Sequence, residues 1–103
     1  MSYQIKYSPI ALDDLDRAFY EVYQASFDTI IAREYINDLL DKIEGKVDFP
    51  ESGSPLIYDN IFTGYRYVVF KSYIAFYYVE KNTIFVDRVL YAKSDYIKKL
   101  KLN

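Results

Sequence analysis

The feature that most constrains this chain is a set of three strand-like runs joined by two-residue connections. Tyr65 to Phe70, Tyr73 to Glu80 and Thr83 to Tyr91 are rich in Val, Ile, Tyr and Phe. Lys71-Ser72 and Lys81-Asn82 separate them, and connections of that length make hairpins. The middle run is apolar at alternate positions on both sides: Ile74, Phe76 and Tyr78 on one, Tyr73, Ala75, Tyr77 and Val79 on the other. A strand of that kind belongs in the centre of a sheet covered on both faces.

The residues before this block change period. Tyr3 to Tyr7 alternates apolar and polar side chains, as a half-buried strand does. Ser8-Pro9 is a helix start, with a hydroxyl to cap and a proline where no N–H is needed. Leu12, Leu15, Phe19 and Val22 then define an apolar helical face that ends near Gln24 to Phe27. Asp28 caps a second helix whose face is Ala32, Ile36, Leu39, Leu40, Ile43 and Val47. So short a gap makes the two an antiparallel helical hairpin. Gly45 weakens its last turns and Pro50 stops continuation past Phe49.

Residues 50–64 are the one turn-rich stretch and are expected to be a long loop, with room for a short strand at Leu56 to Tyr58. Ser94 to Leu100 is expected to form a short basic helix or tail. The expected architecture is α+β, in the order β-α-α-β-β-β. An antiparallel sheet of about four strands packs on the helical hairpin, in one domain spanning 1–103. Two helices barely cover two sheet faces, so the second face is a candidate binding surface.

Composition narrows the chemistry. The chain has no cysteine and no histidine, which removes disulfides, thiol nucleophiles, thiolate or imidazole metal sites and the usual near-neutral acid/base group. No cofactor and no metal are expected. Asp13, Asp14 and Asp16 are adjacent in sequence but point in different directions on a helix, so they are assigned to favourable placement on the helix dipole. Met1 to Lys6 lacks the apolar core of a signal peptide, and the apolar run from Tyr73 to Val79 is too short for a bilayer; a cytoplasmic location is expected. Net charge is −2 and uneven: residues 1–51 carry five basic and eleven acidic side chains, residues 52–103 eight and four. That polarity concerns partners rather than fold.

Two local patterns, added to the element order, give the chain a family likeness. One is the opening Ile5-Lys6-Tyr7-Ser8-Pro9, followed by Ala11 and Leu12-Asp13-Asp14-Leu15. The other is Gly64-Tyr65-Arg66, then the strand Tyr73 to Val79, then Asp87-Arg88-Val89-Leu90-Tyr91-Ala92-Lys93-Ser94-Asp95-Tyr96. Together they resemble the RelE/ParE superfamily of toxins from type II toxin–antitoxin pairs, the plasmid-stabilisation type, along essentially the whole chain. The resemblance implies growth inhibition and a cognate antitoxin that occludes the open sheet face. Tyr65, Tyr67, Tyr77, Tyr96, Lys98 and Lys99 are the expected antitoxin- or target-binding residues. A homodimer and a hetero-oligomer with the antitoxin both fit this picture.

The superfamily divides by target, which the resemblance carries over as alternatives. RelE-like members cut mRNA on the translating ribosome; here that role would fall to Arg66, Arg88, Tyr91 and Lys93. Cations are needed because the phosphate gains negative charge as it is attacked. ParE-like members act on DNA gyrase by binding. The chain departs from the RNase pattern at Ile74, where an arginine is usual. Residues 48–63 also contain no Lys or Arg, although a lysine-rich segment is usual there. Gyrase binding is therefore preferred, with the ribosome-dependent endonuclease second and a non-toxic, antitoxin-binding relative third. In the quieter alternative, Arg66 and Arg88 pair with Asp87, Asp59 or Glu80, and Tyr91 and Tyr96 pack on the sheet edge.

Overall fold

A computed structural model describes residues 3–103. Strand β1 (Gln4–Tyr7) leads into helices α1 (Pro9–Ser26) and α2 (Thr29–Glu44). A single 3₁₀ turn (Pro50–Ser52) follows, then strands β2 (Ser54–Tyr58), β3 (Ile61–Phe70), β4 (Tyr73–Glu80) and β5 (Thr83–Tyr91), and the short helix α3 (Tyr96–Lys99). The sheet order is β1-β5-β4-β3-β2. β1 runs parallel to β5, and every other neighbour is antiparallel.

The sheet therefore has five strands where about four were expected. The difference lies in residues 50–64, which are largely ordered as β2 and the start of β3 rather than as a loop. Asp59 and Asn60 turn the chain with positive φ values of 54° and 63°. Such a pair of left-handed residues fits the right-handed twist of a hairpin, and Asp and Asn tolerate it.

Both helix caps form as the sequence implies. The Ser8 hydroxyl accepts from the Ala11 N–H at 2.9 Å, and Asp28 Oδ1 accepts from Ile30 and Ile31. α1 ends at Phe27, whose φ of 56° brings its N–H back to the Tyr23 carbonyl. The buried face of α1 is only partly the expected one: Leu15 is buried and Phe19 and Val22 are half-buried, but the stripe is shifted. Ala11, Asp14, Leu15 and Ala18 are buried, whereas Leu12 is 52% exposed. Small side chains, and a carboxylate with partners of its own, define the contact stripe, so a face read from the bulky residues is rotated by about one position. On α2 the expected stripe holds: Ala32, Leu39 and Ile43 are buried, and Ile36, Leu40 and Val47 pack at its margin.

Two apolar clusters sandwich the sheet. On the first face, Ala11, Leu15, Leu39 and Ile43 pack against Val68, Ala75, Tyr77, Ile84, Val86 and Val89. On the second, Leu56, Ile74, Phe76 and Leu90 are joined by Leu100, with Tyr65, Tyr67 and Tyr96 around them. The C-terminal turn thus covers part of the face that two helices could not reach.

What joins these layers is the exposed half of β5. β1 stops at Tyr7, leaving the outer edge of β5 unpaired beyond Val86. The first turns of α1 supply the missing partners. The Ser8 N–H donates to the Val86 carbonyl (3.0 Å), the Ser8 hydroxyl donates to the Asp87 carbonyl (2.8 Å), and Asp14 Oδ2 accepts the Val89 N–H (3.0 Å). A bulge at Asp87 accompanies the handover: Tyr77 pairs with Val86 but Phe76 pairs with Arg88. Asp14 also receives two bonds from the Arg88 guanidinium, at 2.8 Å (Nε) and 3.1 Å (Nη2), and one from Arg17 at 3.0 Å. Arg88 Nη1 extends to the Lys99 carbonyl at 3.4 Å, so one side chain ties α1 to the C-terminal turn. Assigning Asp14 to the helix dipole is corrected here: it lies beyond the first turn and is 1% exposed. Burial alone would raise its pKa, but the bonds from Arg88, the Val89 N–H and Arg17 outweigh that and hold the carboxyl below its ordinary range.

The other end of the sheet is fixed by Tyr77, which is 1% exposed. Its hydroxyl donates to the Pro50 carbonyl at 2.5 Å and accepts the Gly53 N–H at 3.1 Å. Gly53 is required at that point, because a β-carbon there would collide with the tyrosine ring and hydroxyl.

Two predictions follow from these contacts. Tyr77→Phe leaves a buried carbonyl and a buried N–H without partners, and urea denaturation should show a loss of about 2 kcal/mol. Asp14→Asn leaves the Arg88 charge uncompensated and should cost about 3 kcal/mol. Because folding lowers the Asp14 pKa, its contribution is complete above the ordinary carboxylate range and disappears as pH falls through the folded value. The wild-type protein should therefore lose more stability on acidification than Asp14→Asn; equal slopes would contradict the assignment.

Candidate functional site

Cross-strand partners in an antiparallel sheet share a face, so the register places each singled-out residue. Arg66 lies opposite Tyr77, on the helix-packed first face; Arg88 lies opposite Phe76, on the second. β4 separates their strands, putting the two backbones about 9–10 Å apart. Arg66 Nη1 donates to the Glu51 and Gly53 carbonyls at 3.2 and 3.1 Å, and its guanidinium stands 5.4 Å from the centre of the Phe62 ring. Neither arginine makes the expected ion pair with Asp59, Asp87 or Glu80. Arg66 holds the loop before β2 through backbone carbonyls, and Arg88 holds α1 through Asp14. The Asp14 carboxylate also raises the Arg88 pKa, chiefly through its hydrogen bonds.

The remaining residues of the expected RNase set lie apart from these. Tyr91 ends β5 opposite Tyr73, on the first face, and is 43% exposed. Lys93 follows it in an exposed turn. The structure does not gather Arg66, Arg88, Tyr91 and Lys93 into one site. Among the described residues there is also no group of three or more acidic side chains that could hold a metal ion.

The tyrosines form a more coherent surface. Tyr65, Tyr67 and Tyr96 lie on the second face around Phe76; the Tyr67 and Tyr96 rings are 6.1 and 5.2 Å from it. Leu56, Val69 and Ile74 complete a shallow groove of about 260 Å³ with Tyr67, Phe76 and Tyr96. Beside it the Tyr65 hydroxyl donates to Asp87 Oδ2 at 2.8 Å. Burial, followed by that carboxylate, pushes the Tyr65 phenol up to about 12. Exposed Ile61 shares this face, whereas Ile57, opposite Phe62, is on the first; the exposed Lys98 and Lys99 stand on α3. Tyr77 does not belong to this surface, because its ring is in the first-face core.

Several of these residues escaped the reading of the sequence. Asp14 was visible as an acid one turn from an apolar position, but only the fold shows Arg88 beside it. The short strand expected at Leu56 to Tyr58 forms as part of β2, whereas Ile61, at the start of β3, was hidden by treating the rest of residues 50–64 as loop. Asp59-Asn60 between Ile57-Tyr58 and Ile61-Phe62 was the available signal for a hairpin.

Comparison with known proteins agrees with the architecture. The sequence matches the family described as ParE toxin of type II toxin–antitoxin system, parDE, over residues 5–96. No curated protein matches it. Among solved structures, a chain of a chromosomal ParDE TA system from P. aeruginosa is similar, with a TM-score of 0.73 and 16% identity, over 88% of this chain and 97% of that one. YafQ from E. coli strain BL21(DE3) aligns at a TM-score of 0.43 and 19% identity, over 86% and 92% of the two chains. With a family match across nearly its whole length, this chain belongs to the ParE toxin family of type II toxin–antitoxin systems.

Proposed function

We propose that this protein inhibits growth in the cytoplasm by binding DNA gyrase, without cutting RNA, and that a cognate antitoxin silences it by lying along the second sheet face. The observation that carries the reading is the fate of the two arginines. They start on opposite faces of the sheet, and each is spent on holding the fold together. An RNase of this kind needs cations free to meet a phosphate that is gaining charge. With Ile74 buried where the RNase pattern has an arginine, β3, β4 and β5 offer no such group. What the second face offers instead is aromatic and aliphatic area along a groove, the surface that a helix or extended segment of a partner needs. Tyr65, Tyr67 and Tyr96 anchor that partner, and Lys98 and Lys99 meet charge at its margin.

Purified protein should inhibit supercoiling by gyrase, the antitoxin should restore it, and mRNA on translating ribosomes should stay intact. Unimpaired supercoiling together with new cuts at A-site codons would overturn the proposal. Untouched gyrase and intact mRNA, with the antitoxin still tightly bound, would make the chain a non-toxic antitoxin binder. Tyr67→Ala and Tyr96→Ala should each weaken antitoxin binding by about 2 kcal/mol, roughly thirtyfold, in calorimetry.

A further inference from the structure

On the first face, away from the groove, a second depression of about 340 Å³ opens between α1, α2 and the ends of β4 and β5. Its floor is Tyr73, which is 5% exposed and donates its hydroxyl to Glu21 Oε1 at 2.6 Å. Tyr35 from α2 and Tyr91 from the end of β5 flank it. Their ring centres lie 6.1 and 5.8 Å from that of Tyr73, at interplanar angles of 80° and 77°. Tyr35 and Tyr91, each near a right angle to the Tyr73 floor, form two sides of an open box with a carboxylate on its rim. Glu21 is the one charged residue lining it, although Arg17 and Lys99 line an adjoining cleft that shares Glu21, Tyr73 and Tyr91. Arg17, one turn earlier on α1, is bonded to Asp14 and makes no ion pair with Glu21. The Tyr73 hydroxyl fixes the carboxylate through its hydrogen bond, and burial, then Glu21, pushes its pKa well above the ordinary value. Tyr73 occupies one oxygen of Glu21; among the described residues, nothing bonds the other.

We propose that this depression receives a single arginine side chain from a partner protein. The faces of tyrosine rings attract cations, and a carboxylate beside them supplies the counter-charge. The chain already shows such attraction at Tyr35, where the Lys71 ammonium stands 5.1 Å from the ring centre. A guanidinium suits the box better than an ammonium: it is flat, stacks on rings, is weakly hydrated, and can present two N–H groups to a carboxylate. The depression is shallow and open, so it fits the tip of a side chain delivered by a larger surface. This inference is independent of whether gyrase is the target.

The test titrates the full chain, carrying ¹³C-labelled tyrosine, with methylguanidinium, methylammonium and the neutral methylurea. Saturable movement of the Tyr35, Tyr73 and Tyr91 resonances is expected with methylguanidinium and not with methylurea. Glu21→Gln keeps an acceptor for Tyr73 and should weaken binding about fivefold. The exposed Tyr91→Leu variant should also weaken it, and serves if Glu21→Gln does not fold. Equal shifts with methylurea, or affinity unchanged in a folded variant, would overturn the proposal. Methylammonium binding as tightly as methylguanidinium would overturn the assignment to arginine.

Discussion

Asp14 is a carboxylate in a place where a helix would ordinarily put leucine, and the arrangement of the layers depends on it. β1 is only four residues long, so half the outer edge of β5 has no strand beside it. An open edge of that kind leaves backbone groups unsatisfied and invites foreign pairing. Here α1 is drawn against the edge. Ser8 and Asp14 take over the hydrogen bonds at Val86, Asp87 and Val89. A buried carboxylate demands a cation, and the bulge at Asp87 brings Arg88 into position to provide one. Through its third nitrogen the same guanidinium holds the C-terminal turn over the second face.

The opposite side of the sheet uses the same device with different groups. Tyr77 and Arg66 reach from β4 and β3 to carbonyls of Pro50, Glu51 and Gly53, so the turn entering β2 is fixed from below. That turn sets where Leu56 sits, and Leu56 is a wall of the second-face groove. The two arginines that resemble catalytic cations are thus the residues that shape the surface. A toxin in which both are spent in this way is suited to act by what it binds, which is the basis of the gyrase reading proposed above.

Elements with their own local signals were legible in the sequence. The β3-β4-β5 meander followed from two-residue connections, and both helices from their caps and spacing. The apolar alternation of β4 announced cover on both faces. Features set by contacts far apart in sequence were not legible. The stripe of α1 was misplaced because Ala11, Asp14 and Ala18 carry little apolar weight, yet they lie against the sheet. β2 was half seen, since Pro, Gly and Ser before it masked the Asp59-Asn60 turn. As for the site, Tyr65, Tyr67 and Tyr96 share a face as their strand positions allow. The carbonyls that hold Arg66 lie 13 to 15 residues away and the carboxylate that holds Arg88 lies 74 away, beyond the reach of any local pattern.

The most direct test of this account is a double-mutant cycle between Asp14 and Arg88, read by chemical denaturation. It compares Asp14→Asn, Arg88→Met and the pair. If Arg88 is a structural partner of Asp14, the double variant should be more stable than the sum of the single losses implies, by about 2 kcal/mol. Losses that add to within about 0.5 kcal/mol would show the two residues to be independent. Arg88 would then be free for other work, and the argument against RNA chemistry would lose its footing.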